Sequence, residues 1–149
     1  MTPLNELTSE QILVMPAGRE MDAYIAEAMG ALWWKSTNTG RRALYPGAPP
    51  DWFHEEADMS EGLCYKWDCQ VRHWSTDMAV AWELLETLAA IYASMNVWSV
   101  DRVYAAPWNV SLEGSVIRGS GLADIESEAD TPALAICRAF LLTKIQGKA

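Results

Sequence analysis

The sequence predicts a single α+β domain in which helices pack on a small, mainly antiparallel sheet. The length of 149 residues is that of one domain, and an apolar fraction of 50% is sufficient for a hydrophobic core. The predicted elements follow the order helices, long loop, helix, three strands, helix, which is typical of helices layered on an antiparallel sheet. We therefore expect residues 1–149 to form one domain.

Two helices are predicted near the N-terminal end. Thr8 or Ser9 can cap a first helix that ends before Pro16, because the residue preceding a proline is biased away from helical geometry. A second helix is expected from Gly18 to Gly30, since glycine suits the C-terminal end of a helix. Its apolar residues recur at helical spacing, namely at Met21, Ile25 and Ala28.

The stretch from Ser36 to Glu61 has a different composition and predicts a long irregular loop. It contains five glycine and proline residues, followed by five acidic residues between Asp51 and Glu61. We interpret residues 36–73 as an irregular insertion in the domain. Loops of this length inside a compact domain are uncommon and are often functional.

The clearest helix begins near Ser75, which can serve as its N-cap, and is expected to end at Asn96. Its apolar stripe consists of Met78, Trp82, Leu85, Ala89 and Tyr92. Three strands are predicted next, with Trp98 on the core face of the first and Trp108 on the core face of the second. The last helix is expected to be capped by Thr131, with Pro132 at its first position.

Charge and composition exclude several classes of protein. The chain has 11 Lys and Arg against 20 Asp and Glu, a formal net charge of −9, which is unfavourable for binding a nucleic-acid duplex. The first ten residues lack the pattern of a secretory signal, and no apolar stretch is long enough to span a bilayer. We therefore expect no membrane partner. Three cysteines, an odd number, favour reduced thiols and hence a cytoplasmic location.

Three stretches resemble the phage ABA sandwich domain family. They are EQILVMPAGREMDAYIAEAMG (Glu10 to Gly30), WSTDMAVAWELLETL (Trp74 to Leu88) and ADTPALAICRAFLL (Ala129 to Leu142), together about a third of the chain. The resemblance implies a three-layer α/β/α sandwich encoded by a bacteriophage or prophage, and hence the cytoplasm of an infected bacterium. It implies no established activity, and the stretch from Ser36 to Gln70 departs from the family pattern.

Two groups of residues have side chains suited to metal ions. We expect no cofactor, although a first group of two thiols and two imidazoles within twenty residues could bind zinc tetrahedrally, consisting of His54, Cys64, Cys69 and His73. Its spacing is not that of a standard finger, so buried thiols and loop histidines are the alternative. A second group of four carboxylates at alternate positions suits calcium or magnesium, or a solvated strand edge, at Asp124, Glu126, Glu128 and Asp130.

Catalytic residues are not assigned. His73, Ser75 and Asp77 are the three residue types of a hydrolase triad, but they are too close in sequence to adopt its geometry easily. Arg138 lies among apolar neighbours in the last helix, and a partly buried arginine needs a partner, for which we expect Asp77 or Glu83. Alternatively, an anion such as phosphate binds at the helix start, through Ser75, Thr76, Asp77 and Arg138.

The irregular first half of the chain is rich in residues typical of recognition surfaces. Aromatic side chains interleaved with arginine can stack a nucleobase or contact a protein, and they are Trp33, Trp34, Arg41, Arg42, Trp52, Trp67 and Trp74. The alternative is that most of these tryptophans pack the loop onto the sheet.

The function predicted from these observations is that of a small non-enzymatic binding protein encoded by a phage. It would occupy or sequester a host protein or a nucleotide-type small molecule, in an anti-defence role for example. One alternative is a metal-binding module or enzyme that uses His54, Cys64, Cys69 and His73, with zinc as the cofactor. Another is a structural or assembly protein whose exposed tryptophans form the interface of a homo-oligomer.

Overall fold

The computed structural model describes residues 2–36, 42–45, 53–56, 71–92, 94–101, 105–114 and 124–146. For 32–36, 42–45, 53–56, 100–101, 105–106 and 146 it describes the backbone alone. The described helices are α1 (Ser9–Val14), α2 (Arg19–Ala28), α3 (Met78–Ala89) and α4 (Pro132–Gln146), after a short 3-10 helix at Leu4–Glu6. The described strands are β1 (Leu32–Ser36), β2 (Arg42–Tyr45), β3 (Phe53–Glu56), β4 (Ser94–Asp101), β5 (Ala105–Glu113) and β6 (Ile125–Ala129).

The described strands form two antiparallel sheets, with the orders β2-β1-β3 and β4-β5-β6. In the second sheet, which we call the main sheet, Leu112 lies opposite Met95 on one side and Ile125 on the other. Residues that lie directly opposite one another point to the same face, so these three define the core face. The outer face carries Trp98 opposite Asn109.

Helix α4 is the centre of the core. All but one of the residues from Ala133 to Leu142 are buried. The helix packs against β5 and β6 and also against α1, α2 and α3. A helix that is apolar on nearly all sides has to be enclosed by other elements, and α4 fulfils that requirement. The predicted α+β class, with helices packed on a small antiparallel sheet, is confirmed.

Several predicted helix ends are confirmed. Thr8 caps α1, where its side chain and that of Gln11 bond each other's backbone amides. The Thr131 hydroxyl accepts a hydrogen bond from the amide of Leu134 at the start of α4. Gly18 precedes α2 with φ of 151°, and Gly30 follows it with φ of 100°. L-residues with side chains rarely adopt these backbone angles.

The stretch predicted as an irregular insertion contains two short strands, β2 and β3, which pair with β1. Neither strand has the alternation of apolar and polar residues that identifies a half-buried strand, since their sequences are RALY and FHEE. β3 also pairs with β1 over about twenty residues, as between Trp34 and Glu56, and the pattern of a short segment does not show such a pairing.

Three further predictions around α3 and β4 are wrong. Helix α3 ends at Ala89 rather than at Asn96, which lies in β4. No glycine or proline marks this boundary, so the apolar pattern continues past it. Trp98 lies on the outer face and is 42% exposed, because β4 directs Met95 and Val97 toward the core instead. Trp82 is 51% exposed rather than buried.

In the ranges that the structure describes, no helix combines the length and the apolar character that crossing a membrane requires.

Candidate ligand-binding groove

An apolar groove lies between α3 and the core face of the main sheet. Its volume is about 600 Å³, within the range of small-molecule sites in proteins. We call it the α3–sheet groove, and the described residues that line it are Met78, Trp82, Leu85, Glu86, Ala89, Met95, Val97, Trp108 and Pro132.

One face of α3 forms the first wall of the groove. Met78, Trp82, Glu86 and Ala89 recur at intervals of three or four residues and therefore lie one above another on the helix. The core side of α3 is a neighbouring face, where Ala81, Leu84, Leu85 and Leu88 are buried. Leu85 is the only residue of α3 that both lines the groove and is buried in the core. The groove face is therefore rotated about the helix axis relative to the core face.

The main sheet forms the second wall. Met95 and Val97 are two residues apart on β4 and so point to the same face, and both pack against the core while remaining partly exposed. Trp108 on β5 lies opposite Ala129 of β6 and shares that face. Methionine adapts its shape readily and the indole rings supply flat apolar surface, so the walls suit a planar apolar ligand.

Glu86 is the only charged residue among the described residues that line the groove. The neighbouring carboxylate, Glu83, forms an ion pair with Arg72. No basic side chain pairs with Glu86 in the described part of the chain. The groove therefore combines apolar walls with one unneutralised carboxylate.

A second polar cluster joins the start of α2 to the segment before α3. The Asp22 side chain, which is fully buried, accepts a hydrogen bond from the amide of Ser75 at 2.8 Å and pairs with Arg19 at 3.2 Å. The Ser75 hydroxyl accepts from the amide of Gly18 at 2.9 Å and lies 3.2 Å from its carbonyl oxygen. Arg19 also donates to the carbonyl of Val71.

This cluster contains serine, aspartate and histidine, but they are not arranged as a catalytic triad. The Ser75 hydroxyl is buried and bonded to the backbone of Gly18, whereas the exposed His73 ring places Nδ1 3.2 Å from a nitrogen of Arg19. The nearby Cys137 is a free, buried thiol whose pKa is raised by burial and by the charge of Asp22. The hydrogen bonds of Asp22, Ser75 and Arg19 therefore hold the start of α2 against the segment before α3.

The predicted roles of Ser75 and Arg138 are not those that the structure shows. Asp77, not Ser75, caps α3, accepting hydrogen bonds from the amides of Ala79 and Val80. Arg138 donates to the carbonyl oxygens of Met15 and Glu128 rather than to Asp77 or Glu83. The guanidinium stays partly exposed, and the charge of Asp130 offsets part of the cost of its burial.

The backbone amides of the predicted anion site are already hydrogen-bonded within the protein. The amide of Ser75 bonds to Asp22, and the amides of Thr76 and Asp77 bond to the carbonyl of His73. Arg138 lines a separate hollow of about 350 Å³ beside Asp130 and Glu128. Burial lowers the pKa of Arg138, and the charge of Asp130 opposes that shift. The charge of Asp130 beside the guanidinium makes this hollow unfavourable for phosphate.

The other predicted site residues fall mainly outside the described side chains. Trp33 and Trp34 lie in β1, Arg42 in β2 and His54 in β3, where only the backbone is described. Arg41, Trp52, Cys64, Trp67 and Cys69 lie outside the described residues. The recognition cluster and the zinc site therefore stay predictions. Trp74, by contrast, is buried in the core.

The acidic run at the end of the main sheet divides into two parts. Glu126 and Glu128 are exposed on the outer face of β6, while Ile125, Ser127 and Ala129 between and around them are buried. Asp124 accepts a hydrogen bond from the amide of Gly114 at 2.9 Å. Among the described side chains, no three His, Cys, Asp or Glu residues are arranged to hold a metal ion.

The candidate functional residues that the sequence did not predict are those of the groove. Its α3 stripe was identified, but as core, because an apolar stripe at helical spacing normally faces the interior. Glu86, one turn after Trp82, is the signal in the sequence that this stripe borders solvent.

Comparison with protein-family models, with curated proteins and with solved structures gives no match to this chain. The geometry of the α3–sheet groove is therefore the observation from which a function can be inferred.

Proposed function

We propose that the chain is a phage-encoded, non-enzymatic binding protein that sequesters a small molecule with a planar apolar body in the α3–sheet groove. The groove, with two tryptophans and two methionines around about 600 Å³, is the observation that carries the proposal. The phage origin is supported by the three stretches that resemble the phage ABA sandwich domain family, and an anti-defence role is one form that such sequestration takes.

The walls of the groove favour stacking over polar recognition. Trp82 and Trp108 come from α3 and from β5, so each wall contributes an indole ring. A ring held between or against indoles gains apolar burial and stacking, which is worth about 1–3 kcal/mol per nucleobase. A nucleobase or nucleoside therefore fits the groove as a nucleotide-type ligand.

The charge of the groove favours the base part of such a ligand over a phosphate part. Glu86 is the one charged side chain in its described lining, and the whole chain has a net charge of −9. A phosphate group at the groove would be repelled both by Glu86 and by the net negative charge of the chain. We therefore expect nucleosides to bind more tightly than the corresponding nucleotides.

A host protein is the second candidate for the occupant. Trp82 is 51% exposed at the groove, and tryptophan is among the residues that contribute most to protein contacts. In that form of the proposal, an apolar side chain of the partner would enter the groove.

A thermal-shift screen with tryptophan fluorescence tests the proposal. The probes are nucleobases, nucleosides, nucleotides and neutral aromatic fragments. A ligand that binds only the folded chain raises its melting temperature, by an amount equivalent to about 2.7 kcal/mol at 100 times its Kd. We expect Trp82→Ala to weaken a binding probe about tenfold, because it removes a stacking surface.

Trp98→Ala is the matched control, because Trp98 is 42% exposed and lies on the outer face of the main sheet. It should leave the affinity unchanged. Ala89→Leu is a second variant, which fills the groove from an exposed helix position without removing a packed side chain. Equal loss of affinity in Trp82→Ala and Trp98→Ala, or no shift with any probe, would contradict the proposal.

A further inference from the structure

We propose that the α3–sheet groove selects a small organic cation, namely an amine or quaternary ammonium group attached to a planar aromatic body. The inference rests on the proposed function, since it names the ligand class of the same site. It depends on how the aromatic and charged side chains of the groove are placed relative to one another.

Trp82 and Glu86 provide the two parts of a cation site. They are four residues apart on α3, which brings their Cβ atoms to within about 5–6 Å of each other on one helix face. A cationic group over the Trp82 ring is attracted by the negative face of the indole. From the same position it is within reach of the Glu86 carboxylate.

The carboxylate of Glu86 is available for this role. Glu83, the adjacent acid on α3, is paired with Arg72, whereas Glu86 has no ion-pair partner among the described residues. The described lining also contains no Lys, Arg or His. A ligand cation would therefore supply the positive charge that the described lining of the groove lacks.

Long-range electrostatics act in the same direction. The net charge of −9 attracts cations to the surface and repels anions. This general attraction is screened by salt, with a Debye length of about 8 Å at physiological ionic strength. The local contribution of Glu86 can therefore be separated from the general one by comparing substitutions at two places on the surface.

The test uses three probes that share a phenyl ring and differ in charge: benzylammonium, benzyl alcohol and benzoate. Tryptophan fluorescence titrations of the full chain measure the three dissociation constants. We expect benzylammonium to bind about tenfold more tightly than benzyl alcohol, and benzoate to bind most weakly. Added salt should weaken the binding of benzylammonium and leave that of benzyl alcohol unchanged.

Glu86→Gln should bring benzylammonium close to the affinity of benzyl alcohol, since it keeps the shape of the side chain and removes its charge. The matched control is Glu126→Gln, which makes the same change in net charge on the outer face of the main sheet. It should retain the preference for the cation. Both glutamates are exposed, so both variants should fold, as melting curves would verify.

Two results would overturn the inference and leave the proposed function intact. One is equal affinity for benzylammonium and benzyl alcohol, with both still weakened by Trp82→Ala. The other is loss of the cation preference to the same extent in Glu86→Gln and Glu126→Gln, which would assign it to net charge alone. Failure of all three probes to bind in a manner that depends on Trp82 would also overturn the inference, whereas the proposed function would fail only if the nucleobases and nucleosides did not bind either.

Discussion

Two acids on α2, Asp22 and Glu27, differ in their burial and in their hydrogen-bond partners. Asp22 is fully buried, but its oxygens accept a hydrogen bond from the amide of Ser75 and pair with Arg19. Glu27 has one oxygen, Oε2, that is buried with no hydrogen-bond partner in the described part of the structure. Burial accordingly raises the pKa of Glu27 from 4.5 to about 7.

This shift predicts a pH dependence of stability. Between pH 4.5 and about 7, the folded chain holds the proton on Glu27 while the unfolded chain releases it. The stabilising contribution is therefore complete below pH 4.5 and is lost as the pH rises through about 7. Because the amide of Glu27→Gln does not ionise, we expect this variant to melt at a higher temperature than the parent above pH 7, with a flatter profile below it.

Melting temperatures measured across this pH range test the prediction. Glu20→Gln is the control, since Glu20 lies on the same helix and is exposed, and its profile should follow that of the parent. If Glu27→Gln also kept the slope of the parent, another group would have to be the source of the pH dependence.

At the scale of the element, the start of α3 divides two functions between neighbouring residues. Asp77 caps the helix, whereas Ser75 is buried in the contact with Gly18 and Asp22. We expect Asp77→Ala to lower the free energy of unfolding by about 0.5–2 kcal/mol, the usual cost of losing an N-cap. Thr76→Ala, at an exposed neighbouring position, should change it by less than about 0.5 kcal/mol. Urea denaturation of both variants gives the comparison, and similar losses in the two would contradict the capping role.

The same elements show what the sequence could and could not predict. The caps at Thr8 and Thr131 follow from local chemistry, because the bonded groups lie within three residues of each other. Local chemistry equally permits Ser75 or Asp77 to cap α3, and the choice depends on α2, more than fifty residues away in sequence. The α+β class could be predicted because it depends only on the order of the elements.

The groove could be predicted only in part, for a similar reason. Its α3 stripe is visible at helical spacing, but whether a stripe faces the core or a groove depends on what packs against the neighbouring face. A shift of β4 by one residue would exchange its two faces and would place Trp98 at the core instead of Val97. The register is set by pairing with β5, and the residue pattern of β4 by itself does not fix it.

At the scale of the whole molecule, α4 connects the elements that are described in side-chain detail. It packs on the main sheet and on α1, α2 and α3, and its interior positions include small residues such as Ala135 and Ala139, both fully buried. Ser127 of β6 donates a hydrogen bond to the carbonyl of Ala135, which adds a buried polar contact between helix and sheet. Opening α4 would therefore disrupt both the helical layer and the sheet face at once.

This arrangement predicts the pattern of native-state hydrogen exchange. Amides of α4 and of β5 should exchange slowest, because they open only when the whole domain unfolds. Those of α1 should exchange faster, since this six-residue helix has Ile12 as its one buried residue and can open locally. Exchange measured residue by residue by NMR, over increasing denaturant, gives an opening free energy for each amide. If α4 opened at the same low free energy as α1, α4 would not be the central element of the core. The α3–sheet groove, which Pro132 of α4 lines, would then not be held in place by a stable helix.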